Sequence, residues 1–261
     1  MDIIVCIKQV VAGDRVKIDP STYSLVRSAE ISYINPFDLF ALEMAVQLKR
    51  EHSGSITAVT MGPKISEEVL WEALTLGADR AVLLSDPRFS ASDTLATSYV
   101  LGMGIRKIGK FDLIFCGMRT TDGDTGQVGP QLAEELDLLH VSAVEKLEKE
   151  KGSFRVERVS DGFREIIEVL PPALLTIASK TAVRLPSLID IQDTFTRNSI
   201  ECWNLEDLNA DPKKVGRPGS GTWVEGLTPT AQKKSCVFIE GDTRQQAKIL
   251  LSKLIEKNLL S

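Results

Sequence analysis

Apolar residues in the first two thirds of the chain recur with two periods in turn. Ile3–Ile7 is a short continuous apolar run, the pattern of a strand buried on both faces. Asn35-Pro36 is a helix-start signal, and Phe37, Leu39, Leu42, Met44, Ala45 and Leu48 follow at helical spacing. Ile56–Met61 predicts a second strand, stopped by Gly62-Pro63. Ser66 precedes a helix carrying Val69, Leu70, Ala73 and Leu74, which Gly77 ends. Ala81–Leu84 predicts a third strand, and Ser92-Asp93 opens a helix through Tyr99, Val100 and Met103. Leu113–Cys116 predicts a fourth strand, followed by a glycine-rich loop and a helix near Pro130–Leu136. This βαβαβαβα order predicts an α/β fold: a Rossmann-like parallel sheet with helices on both faces.

From Ser142 the pattern changes. Val144–Leu147, Phe154–Val159 and Glu165–Leu170 read as an antiparallel hairpin insertion, with a turn at Ser160-Asp161-Gly162. Leu174–Ala178 returns to the main sheet. After Arg184 periodicity weakens, and Pro186, Pro212, Pro218 and the stretch Gly216–Gly221 predict an extended arm. An amphipathic helix over Asp242–Asn258 closes the chain, with Ala247, Leu250, Leu251, Leu254 and Ile255 on one face. The expected organisation is an α/β domain over 1–183, an arm over 184–228 and a terminal helical region over 229–261.

Composition adds exclusions. The 261 residues are 43% apolar and 26% charged, enough apolar material for a core. A net charge of −5 offers no field for nucleic acid. No apolar run approaches the ~20 residues that span a bilayer, so an integral membrane protein is not expected. The N-terminus lacks the pattern of a secretory signal, and a cytoplasmic location is expected. Cys6, Cys116, Cys202 and Cys236 form no CxxC pair and match no zinc spacing, so free thiols and no metal site are expected. With only His52 and His140, histidine-based triad or metal chemistry has little material.

The chemistry concentrates in Gly117-Met118-Arg119-Thr120-Thr121-Asp122-Gly123-Asp124-Thr125-Gly126-Gln127-Val128-Gly129-Pro130, between a strand and a helix. Ligands of open α/β sheets bind at that junction, and helix N-terminal amides attract anions. Glycines permit close backbone approach, Thr120, Thr121 and Thr125 add hydroxyls, and Arg119 adds a charge that offsets a phosphate. The loop is neither GxxxxGK[ST] nor GxGxxG, and the missing lysine argues against NTP hydrolysis. Asp122 and Asp124 are expected to accept from ribose hydroxyls or backbone amides. Two readings stay open on these residues alone: a nucleotide-phosphate loop, or a glycine-rich surface turn with two Asx turns.

In combination, four segments carry a family resemblance. Val5-Cys6-Ile7-Lys8-Gln9-Val10, Asn35-Pro36-Phe37-Asp38, the run Gly117 to Val128, and Val156–Gly162 with Leu170–Thr176 resemble the β subunit of an electron transfer flavoprotein. The resemblance spans residue 1 to about 190. It implies a heterodimer with an α subunit that carries FAD and exchanges electrons with a flavin-dependent dehydrogenase. It also implies a nucleotide in the β subunit: structural AMP in respiratory-type members, or a second FAD that meets NADH in electron-bifurcating members, which pass electrons to ferredoxin or flavodoxin.

Asp122-Gly123-Asp124-Thr125, and Thr94 and Thr97 three apart at a helix start, resemble the bifurcating branch. The plainer reading of Ser92–Thr97 is an ordinary Ser-Asp helix cap. Carried over by resemblance, Cys6, Asn35, Pro36, Phe37 and Met61 surround the adenosine. Thr94, Thr97, Gly117, Arg119, Thr120, Asp122, Gly123, Asp124, Thr125, Gln127 and Val128 line ribose, diphosphate and flavin, with NAD(H) as substrate. Core packing is the alternative role for Phe37 and Met61. Two departures stand out: Pro186–Arg197 lacks the lysine run that many members carry in the arm wrapping the partner, and Phe163 sits on the hairpin where small or acidic residues are usual. The altered charge of the arm implies a diverged α subunit or dehydrogenase. A stand-alone adenine-nucleotide sensor or hydrolase on the same fold is a further alternative.

Overall fold

The computed structural model describes residues 1–11, 17–18, 25–26, 32–178, 181–197, 199–225 and 236–260. Along the chain come β1 (Asp2–Cys6), β2 (Gln9–Val11), β3 (Lys17–Ile18), β4 (Leu25–Val26), β5 (Ser32–Ile34), α1 (Pro36–His52) and β6 (Ser55–Met61). Next are α2 (Glu67–Thr75), β7 (Arg80–Leu84), α3 (Thr94–Ile108), β8 (Leu113–Gly117) and α4 (Val128–Leu136). Then follow β9 (Leu139–Lys149), β10 (Phe154–Ser160), β11 (Phe163–Val169), β12 (Ala173–Ile177), α5 (Leu188–Arg197), β13 (Ile200–Trp203), α6 (Gly216–Gly219) and α7 (Thr243–Glu256). Residues 1–225 and 226–261 form two compact units.

Nine strands make the central sheet, in the order β11-β10-β9-β12-β8-β1-β6-β7-β13. From β9 to β13 every neighbouring pair is parallel. Val5, Ile56, Val59, Leu83, Ile114 and Phe115 are fully buried, because α1 and α2 cover one face and α3 and α4 the other. Each such side chain contributes about 1.5–3 kcal/mol of burial free energy. Gly129 sets how close α4 comes: a Cβ there would lie 2.4 Å from Thr176 Cγ2 on β12. The α/β architecture, the parallel sheet and the hairpin insertion agree with the sequence pattern. The hairpin joins Ser160 to Phe163 through Asp161 and Gly162, both at positive φ (51° and 80°), as a tight turn between twisted strands requires.

Two regions differ from expectation. β9 starts at Leu139 rather than near Val144, pairing parallel with β12 before it turns antiparallel to β10. Its mixed burial gives no clean alternation over the first half. The expected arm over 184–228 is also more structured than its weak periodicity indicates. It holds α5, and β13 extends the main sheet beside β7, with Ile200 opposite Ala81 and Trp203 opposite Leu84. Trp203, Leu205, Leu208, Ala210 and Val215 then bury against the α3 and α4 face. Their spacings fit neither a helix nor a strand, so periodicity could not reveal them. Residues 226–228 and 229–235 lie outside the described residues.

In the second unit α7 begins with a capping box. The Asp242 carboxylate accepts from the N–H groups of Arg244 and Gln245, both at 2.9 Å, and Gln245 accepts from the Asp242 N–H at 3.1 Å.

If 199–215 is integral to the sheet, Trp203→Ala lowers unfolding free energy by about 3 kcal/mol. Urea denaturation checks this. A loss within about 0.5 kcal/mol, the range of a neutral surface change, would show the edge strand to be dispensable.

Candidate nucleotide site at the sheet switch point

From β1 the chain runs through α1 to β6 and then β7 on one side. It then crosses to β8 on the other side of β1. This reversal opens a crevice past the C-terminal ends of β1 and β8, with α1 on one face and α4 on the other. Such switch points are where α/β sheets bind ligands. Ile7 and Lys8 lead out of β1 there, and the loop 117–128 leaves β8.

Three polar side chains build the floor. Asn35 is the N-cap of α1, yet it makes no side-chain capping bond, and Pro36 in the first turn removes one amide that needs an acceptor. Its amide is free to reach across the crevice instead. Asn35 Nδ2 donates to the Arg119 carbonyl at 2.9 Å, and Oδ1 accepts from the Thr121 N–H at 3.3 Å. Asp38, one turn into α1, accepts the N–H of Lys8 at 2.8 Å and that of Gly117 at 3.0 Å. Lys8 Nζ lies 2.7 Å from Asp122 Oδ1. The strand ends, the helix and the loop are thereby tied into one unit.

The rim is the loop itself. Arg119 lies over the Phe37 ring at 5.2 Å and pairs loosely with Asp124 at 3.3 Å. Phe37 packs edge-on against Phe40 at 6.3 Å between centroids. Asp124 (φ 51°) and Gly126 (φ 62°) turn the loop back, and the Asp124 N–H donates to the Thr120 carbonyl at 3.0 Å. Across the loop, the Thr94 hydroxyl donates to Gln127 Oε1 at 2.9 Å, while the Asp93 carboxylate caps α3 at the Ala96 N–H, 3.0 Å away. Ser98, buried on α3, has its hydroxyl 2.8 Å from the Thr94 carbonyl and 3.2 Å from the Val128 carbonyl, where α4 begins. The first-turn amides of Val128 and Gly129 precede the first bond of that helix, from Gln131 to the Gln127 carbonyl at 3.0 Å.

Most of the sequence-derived residues therefore meet at one place: Asn35, Pro36, Phe37, Gly117, Arg119, Thr120, Asp122, Gly123, Asp124, Gln127 and Val128 around the loop, with Thr94 opposite. Thr125 stands exposed on the same loop, and Thr97 lies one turn further along α3. Cys6 is buried at the end of β1. Met61 ends β6, beyond β1 from the loop, and packs against the α3 side of the core. Asp122 points inward, held by Lys8, by the Gly123 N–H at 2.7 Å and by the Thr120 hydroxyl. These contacts, led on the lowering side by the Lys8 charge, outweigh its partial burial and hold its carboxyl below the usual range. Gly117 is required by space, since a Cβ would lie 2.2 Å from Asp38 Oδ1 and 2.8 Å from the Phe37 backbone carbon. Gly123 has room for one, its nearest neighbour being Thr120 Oγ1 at 3.6 Å.

Sequence reasoning assigned no site role to Lys8 or Asp38, although both stand inside the quoted motifs. The Cys116 thiol is also informative. Contact with Cys6, and then burial, push its pKa well above the ordinary thiol value, so it stays neutral and packs rather than reacts. A cavity of about 430 Å³ opens elsewhere, lined by Arg50, Thr75, Arg184, Ser187, Asp190 and Thr194 among others. The charges of both arginines act on the Asp190 carboxylate, and its lining takes no residue from the ends of β1 or β8.

A parallel sheet flanked by helices, with a glycine-rich loop at its switch point, places the chain in the α/β, Rossmann-like class. Comparison with known proteins narrows this. The electron transfer flavoprotein domain matches residues 22–192. The electron transfer flavoprotein subunit beta of Thermoanaerobacterium thermosaccharolyticum is 38% identical over the full length of both chains. Protein FixA of Azorhizobium caulinodans is 38% identical over 98% of this chain and 95% of its own. The caffeyl-CoA reductase-Etf complex subunit CarD of Acetobacterium woodii is 39% identical over the full length of both. The chain belongs to the electron transfer flavoprotein family, on the side of its β subunits. Among the described residues no helix is long and apolar enough to cross a membrane.

Two outcomes follow from this geometry. Gly117→Ala forces Asp38 or Phe37 to move and costs about 1–3 kcal/mol, the range for overpacking, measurable by denaturant unfolding. Burial pushes Asp38 up to about 7, above its ordinary 3.8. A raised carboxylate pKa means that the folded chain binds this proton more tightly than the unfolded one. The Asp38 contribution to stability is therefore full below about pH 4, declines as pH rises towards about 7 and is flat above. The difference between native and Asp38→Asn unfolding free energies across that range should show this slope; a flat difference contradicts it.

Proposed function

We propose that this chain is the β subunit of a heterodimeric electron transfer flavoprotein. In this reading it binds FAD at the switch-point crevice, takes electrons from NADH, and shares them between ferredoxin or flavodoxin and, through the α-subunit FAD, a partner dehydrogenase. The observation that carries the reading is the loop Asp122-Gly123-Asp124-Thr125, seated between the starts of α3 and α4, with Thr94 and Gln127 facing each other across it. By its name, the A. woodii relative serves a caffeyl-CoA reductase–Etf complex. A flavin-dependent partner acting on a CoA ester is the corresponding proposal here.

The residues present suit a dinucleotide. The backbone at Gly117 can carry no side chain, which lets the start of α1 close against the end of β8 to form the crevice floor. The α4 first-turn amides supply donors for a phosphate, with the favourable end of the helix dipole. Arg119, half-exposed and only loosely held by Asp124, can turn to an anion. Phe37 offers an apolar face beneath it. Asp122, already satisfied by Lys8, shapes the loop without repelling a phosphate. Thr94 and Gln127 can exchange their mutual bond for bonds to a ligand.

When bound, a flavin supplies hydride acceptance and one-electron transfer; the protein supplies binding, orientation and electrostatics. No side-chain general base is needed for hydride transfer, in keeping with the two histidines of the chain. The alternative is a structural AMP at the same crevice, in a respiratory-type subunit.

The co-purified αβ complex decides between them, by chromatography of released cofactors with flavin counted per heterodimer. This reading expects two FAD, no AMP, and reduction by NADH. One FAD with one AMP, and no reaction with NADH, overturns it in favour of the structural nucleotide.

A further inference from the structure

Past the last ladder pair of β1 and β8, Val5 opposite Phe115, a buried side chain bridges the two lips of the crevice. Asp38 is 5% exposed. Its Oδ2 takes the N–H of Lys8, two residues past the end of β1, and its Oδ1 takes the N–H of Gly117, the last residue of β8. Those are the two strands whose divergence makes the crevice. Lys8 continues to Asp122 in the middle of the loop, and Asn35, one turn before Asp38, holds the loop backbone at Arg119 and Thr121.

We infer that Asp38 is a positioning residue for nucleotide binding: ionised, it holds both lips of the crevice at the spacing a nucleotide needs, and protonation releases one of them. This rests on the reading of the crevice as a nucleotide site. An ionised carboxylate offers an acceptor on each oxygen, one for each amide. A carboxylic acid carries its proton on one of those oxygens, opposite an N–H that is itself a donor. One of the two bonds then weakens, and either β1 or β8 loses its tie to α1.

The charged and titratable groups around Asp38 leave it as the member of the cluster that titrates near neutrality. Lys8 faces it from the β1 end and lowers it, and Asp122 is reached only through Lys8. Cys116 faces it from β8 as a neutral thiol. Burial outweighs the lowering by the Lys8 and Gly117 amides and Asn35, and puts the carboxyl at about 7. A nucleotide that needs the ionised form binds more tightly as pH rises through that value, whereas the Asp38 contribution to bare stability falls over the range below it. The opposite signs separate positioning from a merely structural role.

The test is a binding titration of the stripped αβ complex with FAD and with AMP, between about pH 6 and 8.5. AMP curves are corrected for the phosphomonoester's own ionisation near pH ~6. Whichever nucleotide binds should lose about tenfold in affinity from pH 8 to 6, the equivalent of one charge-assisted hydrogen bond. Asp38→Asn should bind about tenfold more weakly at pH 8 and show a flat profile. Lys8→Met should bind more weakly and keep a pH-dependent profile, moved to higher pH because the charge that lowers Asp38 is gone. A flat native profile overturns the inference, and it does so even if Asp38→Asn fails to fold. Native affinity and native pH dependence in Asp38→Asn also overturn it. If neither nucleotide binds the native complex at any pH, the reading of the crevice falls and this inference with it.

Discussion

The site is built around one buried carboxylate, Asp38, which joins the ends of β1 and β8 to α1. Two parallel strands that part company leave their last amides pointing into the same crevice, and something must accept both. Here Asp38 does, from a helix whose first turn is placed by the Asn35-Pro36 junction. The arrangement is costly, because a buried charge is poorly solvated. It persists because an apolar residue would leave two amides unpaired at the centre of the fold.

The rest of the site follows. With β1 and β8 fixed to α1, Lys8 reaches Asp122 and gives the loop a charged anchor that faces inward. The outward side carries backbone amides, hydroxyls and the exposed Arg119–Asp124 pair. Gly117 and Gly129 do complementary jobs: one lets α1 meet the strand end, the other lets α4 meet β12. A loop built this way is set before any ligand arrives, which reduces the ordering that binding would otherwise require.

Much of the fold was legible because a parallel sheet buried on both faces writes itself as short continuous apolar runs, and its helices as 3.6-residue stripes. The loop stood out because glycines and threonines cluster between a strand and a helix, a pattern that fits a phosphate loop and a surface turn alike. The ties beneath it did not. Nothing in the spacing of Lys8 and Asp122, 114 residues apart, indicates a salt bridge. Asp38 reads as an acid in a helix first turn, and only the three-dimensional convergence of β1 and β8 gives it a second partner. The edge strand β13 was hidden for another reason: Trp203, Leu205, Leu208 and Val215 bury through irregular turns, so no period marks them. Asp122 reads as an acceptor for ribose hydroxyls or backbone amides; it takes the Gly123 amide, and also a lysine two residues past β1 that no local pattern announces.

The account stands on the crevice between β1 and β8 being where a nucleotide sits. Amide hydrogen exchange on the αβ complex, with its nucleotide bound and stripped, tests that directly. The account predicts that binding slows exchange over 117–131 and at the start of α3, with little change around the cavity near Arg50 and Arg184. Protection centred on that cavity, with the loop after β8 unaffected, would contradict it.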